Sequence, residues 1–204
     1  NNALLGNVDG DIENYVWFDR FNQARYDYVI FADVLEHLYN PQAVIEKCKG
    51  ILKDSGSILI SLPNIAHNSI LINLYFNKFQ YTDVGLLDKT HIKFFALEDL
   101  ETIYKQAGFS LVEFHTLEAH PQVTEQAEFF DASYKKIEKL FDSRRFGEVY
   151  QFVLKLQKSE NAEDIKITTD SLKVRYIKMP VTLYFNNGKG YNEQEKETRA
   201  IDVV

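Results

Sequence analysis

Two continuous apolar runs, separated by a helical pattern, are the clearest signal in the sequence. Residues 26–32 and 57–62 are rich in β-branched, aromatic and aliphatic side chains. Such runs are typical of strands buried on both faces, as in a parallel sheet. Between them, Asn40 and Pro41 form a helix-start signal, and apolar residues at helical spacing indicate an amphipathic helix over 41–53. The pattern therefore predicts a strand–helix–strand unit with two parallel strands.

Further along the chain, helical and alternating patterns follow one another. They predict a helix over 97–107 that ends at Gly108, a strand over 109–117, a helix over 124–142 and a strand over 149–156. Two late strands joined by a helical insert are expected to pair antiparallel at the sheet edge. The aromatic segment 65–95 shows no regular period, and we interpret it as a lid or pocket wall.

The predicted fold class is α/β: a doubly wound, mostly parallel sheet with antiparallel edge strands and a β-rich C-terminal extension. Residues 1–25 are hard to interpret, although Ala3, Leu4, Leu5 and Val8 are consistent with part of a strand. The polar segment 159–164 is a plausible boundary. We therefore expect one domain over 1–158 and a linker with a β-rich extension over 159–204.

Composition narrows the function classes. The 204 residues are 45% hydrophobic, enough for a globular core, and the net charge of −7 disfavours nonspecific nucleic-acid binding. No run reaches the ~18 apolar residues of a membrane span. The single cysteine, Cys48, excludes a disulfide framework and a multi-cysteine metal site. We expect no metal and a cytoplasmic location.

Candidate chemistry gathers where the two parallel strands end. Open parallel sheets bind ligands at the carboxyl ends of their strands. Asp33 and Val34 follow the first strand, and Pro63 and Asn64 follow the second. Other polar or titratable residues near these ends are Glu36, His37, His67, Asp88 and His91.

At these residues the sequence resembles a known family. The series Tyr26-Asp27-x-Val29, Asp33-Val34-Leu35-Glu36-His37-Leu38, Pro41, Leu52-Lys53-x-x-Gly56 and Leu62-Pro63-Asn64 is similar to the second half of class I S-adenosylmethionine-dependent methyltransferases. The stretch 85–95, followed by a helix and Ala107-Gly108-Phe109, resembles a bacterial subgroup associated with glycosyltransferases and surface polysaccharide synthesis. The resemblance covers about residues 8–157.

This resemblance implies S-adenosylmethionine as the cofactor. Carried over residue by residue, Asp11 and Ile12 would frame the adenine, and Ala32, Asp33 and Val34 would line the cofactor near its methyl group. The family's glycine-rich loop and its ribose-binding acidic residue lie on two earlier strands, for which this sequence has no counterpart. The acceptor that the resemblance implies is a small molecule or glycan, such as a sugar hydroxyl in envelope polysaccharide synthesis, with a glycosyltransferase as a possible associate.

Methyl transfer is an in-line displacement at a sulfonium carbon, and the acceptor must lose its proton to attack. A histidine whose pKa lies near neutrality is the natural base. His91 and His37 are the candidate catalytic residues, and each also has an ordinary structural interpretation. The candidate substrate contacts are Glu36, Asn64, His67, Tyr81, Asp88 and Phe94.

Two other functions fit the same pattern. One is a noncatalytic methyltransferase-like domain that serves as a scaffold or binding module of a larger glycosyltransferase. The other is a different doubly wound enzyme, such as one that modifies a nucleotide-linked sugar. The sequence does not predict the oligomeric state.

Overall fold

The computed structural model describes residues 11–167, which form five α-helices, four short 3-10 helices and four strands. The strands are β1 (Tyr26–Ala32), β2 (Leu52–Pro63), β3 (Phe109–Glu118) and β4 (Val149–Lys158). The helices are α1 (Val16–Phe21), α2 (Pro41–Cys48), α3 (Asn68–Tyr75), α4 (Leu97–Gln106) and α5 (Tyr134–Phe141). Short 3-10 helices lie at Ile12–Asn14, Leu35–His37, Pro121–Val123 and Glu125–Phe129.

The four described strands form one sheet in the order β1-β2-β4-β3. β1 and β2 pair in parallel, with Ala32 opposite Ser61 at their carboxyl ends. β4 pairs antiparallel with both β2 and β3. The α/β prediction and the antiparallel pairing of the late strands are confirmed, and over the described residues the sheet is mixed, with β1 and β2 as its parallel pair.

One face of the sheet carries the core. Alternation along β2 buries Ile58, Ile60 and Leu62, while Leu59 and Ser61, which point the other way, are half-buried. The buried positions of β4 pack into the same cluster as α2 and α4, the two helices that cover this face. The helix predicted over 41–53 thus buries its apolar side as expected, although it ends at Cys48 because β2 begins at Leu52.

The expectation that β1 is buried on both faces is wrong for the described part of the chain. Only Phe31 is buried in this strand, and Tyr28 and Ile30 are 56% and 65% exposed. β1 lies at the edge of the described sheet and pairs with β2 alone. Phe31 joins the core cluster on the face that α2 and α4 cover, whereas Tyr28 and Ile30 lie on the opposite face and stay exposed. A continuous apolar run alone does not reveal which face of a strand is covered.

Two other expectations change in detail. The segment 65–95 is not irregular throughout, because it contains α3. The helix predicted over 124–142 is split into the 3-10 helix Glu125–Phe129 and α5. Asp131 separates the two: its carboxylate accepts a hydrogen bond from Ser133 N and its carbonyl accepts one from Tyr134 N.

The strand proposed near Ala3–Val8 and most of the β-rich extension lie outside the described residues. Within the part of the chain that the structure describes, no helix has the length and apolar character needed to cross a bilayer.

A matched pair of substitutions tests this one-sided core. Ile60→Ala removes a side chain that is 3% exposed, and we expect it to lower the free energy of unfolding by about 2–5 kcal/mol. Ile30→Ala, on the exposed face of β1, should cost less than about 1 kcal/mol. Urea unfolding of both variants checks this, and equal losses would contradict the exposed position of Ile30.

Candidate functional site

The parallel pairing of β1 and β2 brings their carboxyl ends to one edge of the sheet. Directly after β1, the amide of Asp33 donates to the carbonyl of Ser61 on β2 at 3.3 Å. Asp33 has a φ of 51°, in the left-handed region that aspartate tolerates better than most residues. The chain therefore turns sharply out of the sheet here, as expected of a strand end that meets a ligand.

The carboxylate of Asp33 is exposed yet fixed in place. Its Oδ1 accepts hydrogen bonds from Gln151 Nε2 at 2.5 Å and from the Ser61 hydroxyl at 3.3 Å. β4 thus helps to orient a carboxylate that follows β1. Gln151 had no signal in the sequence, because a strand glutamine is ordinarily a solvated residue.

A 3-10 helix, Leu35–His37, places the next two polar side chains. The carbonyl of Glu36 accepts hydrogen bonds from the amides of Ile92 and Lys93, both at 2.9 Å. These two bonds hold the segment that contains His91 against the end of β1. They explain how residues more than fifty positions apart in the chain form one cluster.

Glu36, His37 and His91 form that cluster. The two imidazole rings meet edge to face with centroids 4.9 Å apart, and Nε2 of His91 lies 3.9 Å from Oε1 of Glu36. Nδ1 of His37 is 3.1 Å from the carbonyl of Thr90, and Nδ1 of His91 is 3.4 Å from that of Leu86. Each backbone carbonyl favours a proton on Nδ1, which leaves Nε2 of both rings as a lone-pair donor.

Burial shifts the pKa values in this cluster. It raises the pKa of Glu36 to about 7, and the negative charge of Asp33 adds to the rise. Burial lowers the pKa of His91, and the neighbouring His37 lowers it further. The side chain of His91 is 8% exposed and that of Glu36 is 1% exposed. Glu36 can therefore exchange a proton near neutral pH, and the lowered pKa of His91 favours its neutral, proton-accepting form.

The loop carrying His91 is fixed by two carboxylates. Asp88 accepts hydrogen bonds from the amide and the hydroxyl of Thr90; burial opposes ionisation of Asp88, but these bonds outweigh it and hold its pKa below the ordinary value. Buried Glu125 accepts from Leu86 N and from the Tyr150 hydroxyl, both at 2.8 Å. The sequence analysis missed Glu125 and Tyr150, whose roles depend on packing between distant segments.

An aromatic chain leads away from His91. Phe94 lies 6.4 Å from the His91 ring, Phe79 lies 6.3 Å from Phe94, and Tyr81 lies 5.4 Å from Phe79. Tyr81 and Phe79 are exposed, whereas Phe94 is half-buried. Phe94 also lines an open groove of about 350 Å³ together with Tyr39. This surface offers apolar faces next to the histidines.

Asn64 and His67 do not join the cluster. Both are buried, and the Asn64 amide donates to the carbonyls of Phe146 and Val149. His67 accepts from Ser69 N at the start of α3, and its Nε2 lies 2.8 Å from the carbonyl of Ala119. Because their polar atoms already bond within the chain, we leave both out of the proposed site.

Asp11 and Ile12 lie in a turn that Glu13 ties to Tyr39 and Asn40. Asp11 caps the 3-10 helix Ile12–Asn14 by accepting from Glu13 N. Glu13 in turn accepts from the amides of Tyr39 and Asn40, at 2.9 and 2.6 Å. These bonds place the turn beside the chain that leaves the Glu36–His37 segment. Glu13 was not anticipated from the sequence.

Comparisons with known proteins agree with this architecture. A family model described as a methyltransferase domain matches residues 7–114. The mitochondrial ubiquinone biosynthesis O-methyltransferase of Rattus norvegicus is 31% identical over 93 residues, which cover 44% of this chain and 26% of that protein. The chain thus spans about a quarter of the length of this curated relative.

Two solved structures show similarity over much of the chain. A SAM-dependent methyltransferase from Archaeoglobus fulgidus is 22% identical with a TM-score of 0.48, covering 74% of this chain and 66% of its own. A SAM-dependent methyltransferase from Thermotoga maritima, described as a possible histamine N-methyltransferase, is 16% identical with a TM-score of 0.42. The latter match covers 66% of this chain and 56% of that one.

The buried state of His67 predicts an acid-sensitive fold. Burial lowers the pKa of His67 to about 4, below the ordinary value of 6.5. The unfolded chain therefore binds a proton here before the folded chain does, so stability falls as pH drops from about 6.5 to 4. In urea unfolding at several pH values, His67→Gln should weaken this dependence, whereas His115→Gln, at a half-exposed site, should leave it intact. An unchanged dependence in His67→Gln would contradict the assignment.

Proposed function

This chain belongs to the methyltransferase domain family, because the family model matches more than half of the chain's residues, and we propose that it transfers a methyl group from S-adenosylmethionine to a hydroxyl of a small acceptor. One observation carries the proposal: a fixed carboxylate and a histidine–carboxylate cluster follow the same parallel strand. A cation-binding group and a proton-accepting cluster thus stand side by side, as methyl transfer to a hydroxyl requires.

Asp33 suits the positive charge of a sulfonium donor. Its carboxylate is exposed, and its two described partners, Gln151 and Ser61, both meet the same oxygen, Oδ1. Asp33 therefore presents a negative charge at the strand end without being neutralised by a lysine or arginine through these bonds. Such a charge aids binding of the cation more than it aids the rate, because the charge disappears as the methyl group leaves.

The described residues fit one wall of a cofactor site. Bound there, S-adenosylmethionine would supply an electrophilic methyl group on its sulfonium sulfur. Following the family resemblance, we propose that Asp11 and Ile12 contact the adenine, and that Ala32 and Val34 line the methyl end beside Asp33. Ala32 is exposed at the end of β1, which leaves room for a ligand to approach the backbone.

The cluster of Glu36, His37 and His91 receives the acceptor. Its nitrogens and carboxylate oxygens can take up the hydroxyl proton while the acceptor oxygen bonds to the methyl carbon and the carbon–sulfur bond breaks. General base catalysis of this kind contributes typically ~10²–10⁴-fold, and alignment of the two reactants supplies roughly 7–11 kcal/mol. Asp88 holds the loop of His91 through its bonds to Thr90 and is a positioning residue.

We extend the proposal to a sugar hydroxyl as the acceptor and to association with a glycosyltransferase. The support is the family resemblance together with the exposed aromatic rings of Phe79 and Tyr81, which lie beyond Phe94. Flat apolar rings are suited to pack against the apolar face of a sugar. Phe94 bridges these rings and His91, so an acceptor lying on them would reach the cluster.

Calorimetric titration with S-adenosylhomocysteine tests the proposed function. We expect the folded protein to bind one equivalent with micromolar affinity. A folded protein that shows no binding would contradict the proposal and favour a noncatalytic scaffold domain.

Asp33→Asn isolates the charge of Asp33. Asparagine tolerates the left-handed backbone and keeps the oxygen that Gln151 and Ser61 contact. Because only S-adenosylmethionine carries the sulfonium charge, we expect its affinity to fall roughly three- to tenfold while that of S-adenosylhomocysteine changes little. Calorimetry with both ligands measures this, and equal losses would show that the charge of Asp33 plays no part.

His91→Ala tests the acceptor side of the site. We expect the turnover number to fall at least tenfold because the acceptor proton loses its receiver, while S-adenosylhomocysteine affinity stays nearly constant. His115→Ala, which alters a half-exposed histidine on β3, is the control and should keep full turnover. Unaltered turnover in His91→Ala would remove this residue from the proposed chemistry.

A further inference from the structure

Glu36 is buried in an environment that offers its carboxylate no partner. The residue is 0% exposed, and neither carboxylate oxygen has a hydrogen-bond partner among the residues that the structure describes. Burying a charged group without compensation is costly, and such groups normally pair, bond or coordinate a metal. The fold nevertheless fixes Glu36 through its backbone carbonyl, which accepts from Ile92 and Lys93. The carboxylate thus has His91 Nε2 3.9 Å away but no hydrogen bond that would stabilise it.

His37 and His91 lie close enough to Glu36 for the three side chains to bind one ion. One ligand atom from each of Glu36, His37 and His91 lies within 4.8 Å of those of the other two. Nδ1 of each histidine faces a backbone carbonyl, of Thr90 or of Leu86. Histidines that bind metals typically donate their second nitrogen to such a carbonyl, which fixes the tautomer and directs the free nitrogen to the ion.

We propose that Glu36, His37 and His91 bind one divalent transition-metal cation and leave a coordination position open for the oxygen of the acceptor. The role of the open position rests on the proposed function, because the acceptor oxygen is that of the proposed methyl transfer. Two imidazoles and one carboxylate, with an open position, form the ligand set of catalytic zinc sites and of other first-row transition metals. Ca²⁺ prefers six to eight oxygen ligands and fits this set poorly.

Access and local charge favour such an ion. His37 is exposed, so an ion can enter from solvent and reach the buried Glu36 carboxylate. Asp33 and Asp88 lie close enough to influence the cluster electrostatically and add negative charge around it. A cation would therefore bind the Glu36 carboxylate, which lacks a hydrogen-bond partner, while Asp33 and Asp88 attract it from farther away.

A cation changes how the acceptor loses its proton. Coordination lowers the pKa of a bound hydroxyl, so that its proton passes to solvent while the oxygen bonds to the methyl carbon and the carbon–sulfur bond breaks. The histidines then serve as ligands, and the acceptor oxygen is positioned by the ion. Loss of His91 lowers turnover in either case, so turnover alone does not identify the cation.

Calorimetry and thermal unfolding with Mn²⁺ test the cation site directly. Protein freed of metal by a chelator should bind one Mn²⁺ per chain, and saturation at 100-fold excess over Kd should raise Tm by roughly 5–10 °C. Glu36→Gln and His91→Ala should each weaken Mn²⁺ binding at least tenfold and abolish the shift. His120→Gln is the matched control, because His120 also lies within 4 Å of two carboxylates, those of Glu138 and Glu148, but outside the cluster.

The outcomes separate the two proposals when S-adenosylhomocysteine is titrated into the same samples. Mn²⁺ binding that depends on Glu36 and His91 supports the cation site. If S-adenosylhomocysteine does not bind to the same samples, that failure counts against the proposed function and not against the cation site. Absent Mn²⁺ binding, or binding that survives Glu36→Gln, overturns the cation site and leaves methyl transfer standing. Equal binding of Ca²⁺, or loss in His120→Gln, also overturns it.

Discussion

The site depends on two backbone hydrogen bonds that end at the carbonyl of Glu36. They come from Ile92 and Lys93 and join the turn after β1 to a distant aromatic segment. Without them the His91 loop, which Asp88 and Glu125 hold together, would not be tied to the segment that carries Glu36 and His37. Backbone bonds of this kind do not depend on side-chain identity, so the cluster is built by chain geometry and then given its chemistry by Glu36, His37 and His91.

The core supports this geometry from one side of the sheet. The buried residues of β2 and β4 pack in one cluster with α2 and α4, while the pairing of β2 with β1 and β4 sets the register of the strands. β4 also supplies Gln151, which orients Asp33 from the antiparallel strand next to β2. The carboxylate and the histidine cluster are thus supported by different elements, and a change in one can leave the other intact.

Local pattern was sufficient to predict the strands, and it pointed to a candidate site at their carboxyl ends. Apolar runs and the Asn40-Pro41 signal placed β1, α2 and β2, and the strand-end rule directed attention to Asp33, Glu36, His37 and His91. Burial could not be predicted in the same way. Glu36 is a charged residue of a kind that is ordinarily exposed, and its burial follows from the His91 loop that covers it.

Other differences have the same origin in tertiary contacts. Asn64 and His67 looked like ligand contacts because they follow β2, yet their side chains bond to the backbone carbonyls of Val149 and Ala119 in distant segments. β1 looked like a strand buried on both faces, but its exposure depends on which elements pack on each face of the sheet, and the apolar run does not contain that information. The role of Glu125 could not be predicted, because Glu125 meets Leu86 only through the packing of two distant segments.

A crystal structure of the protein with S-adenosylhomocysteine tests most directly whether the ends of β1 and β2 form the methyl-transfer site. The account predicts density for the ligand at that edge, with its sulfur beside Asp33 and its open side toward Glu36, His37 and His91. Density for the ligand on another face of the sheet, or an edge that the ligand leaves empty at saturating concentration, would contradict it.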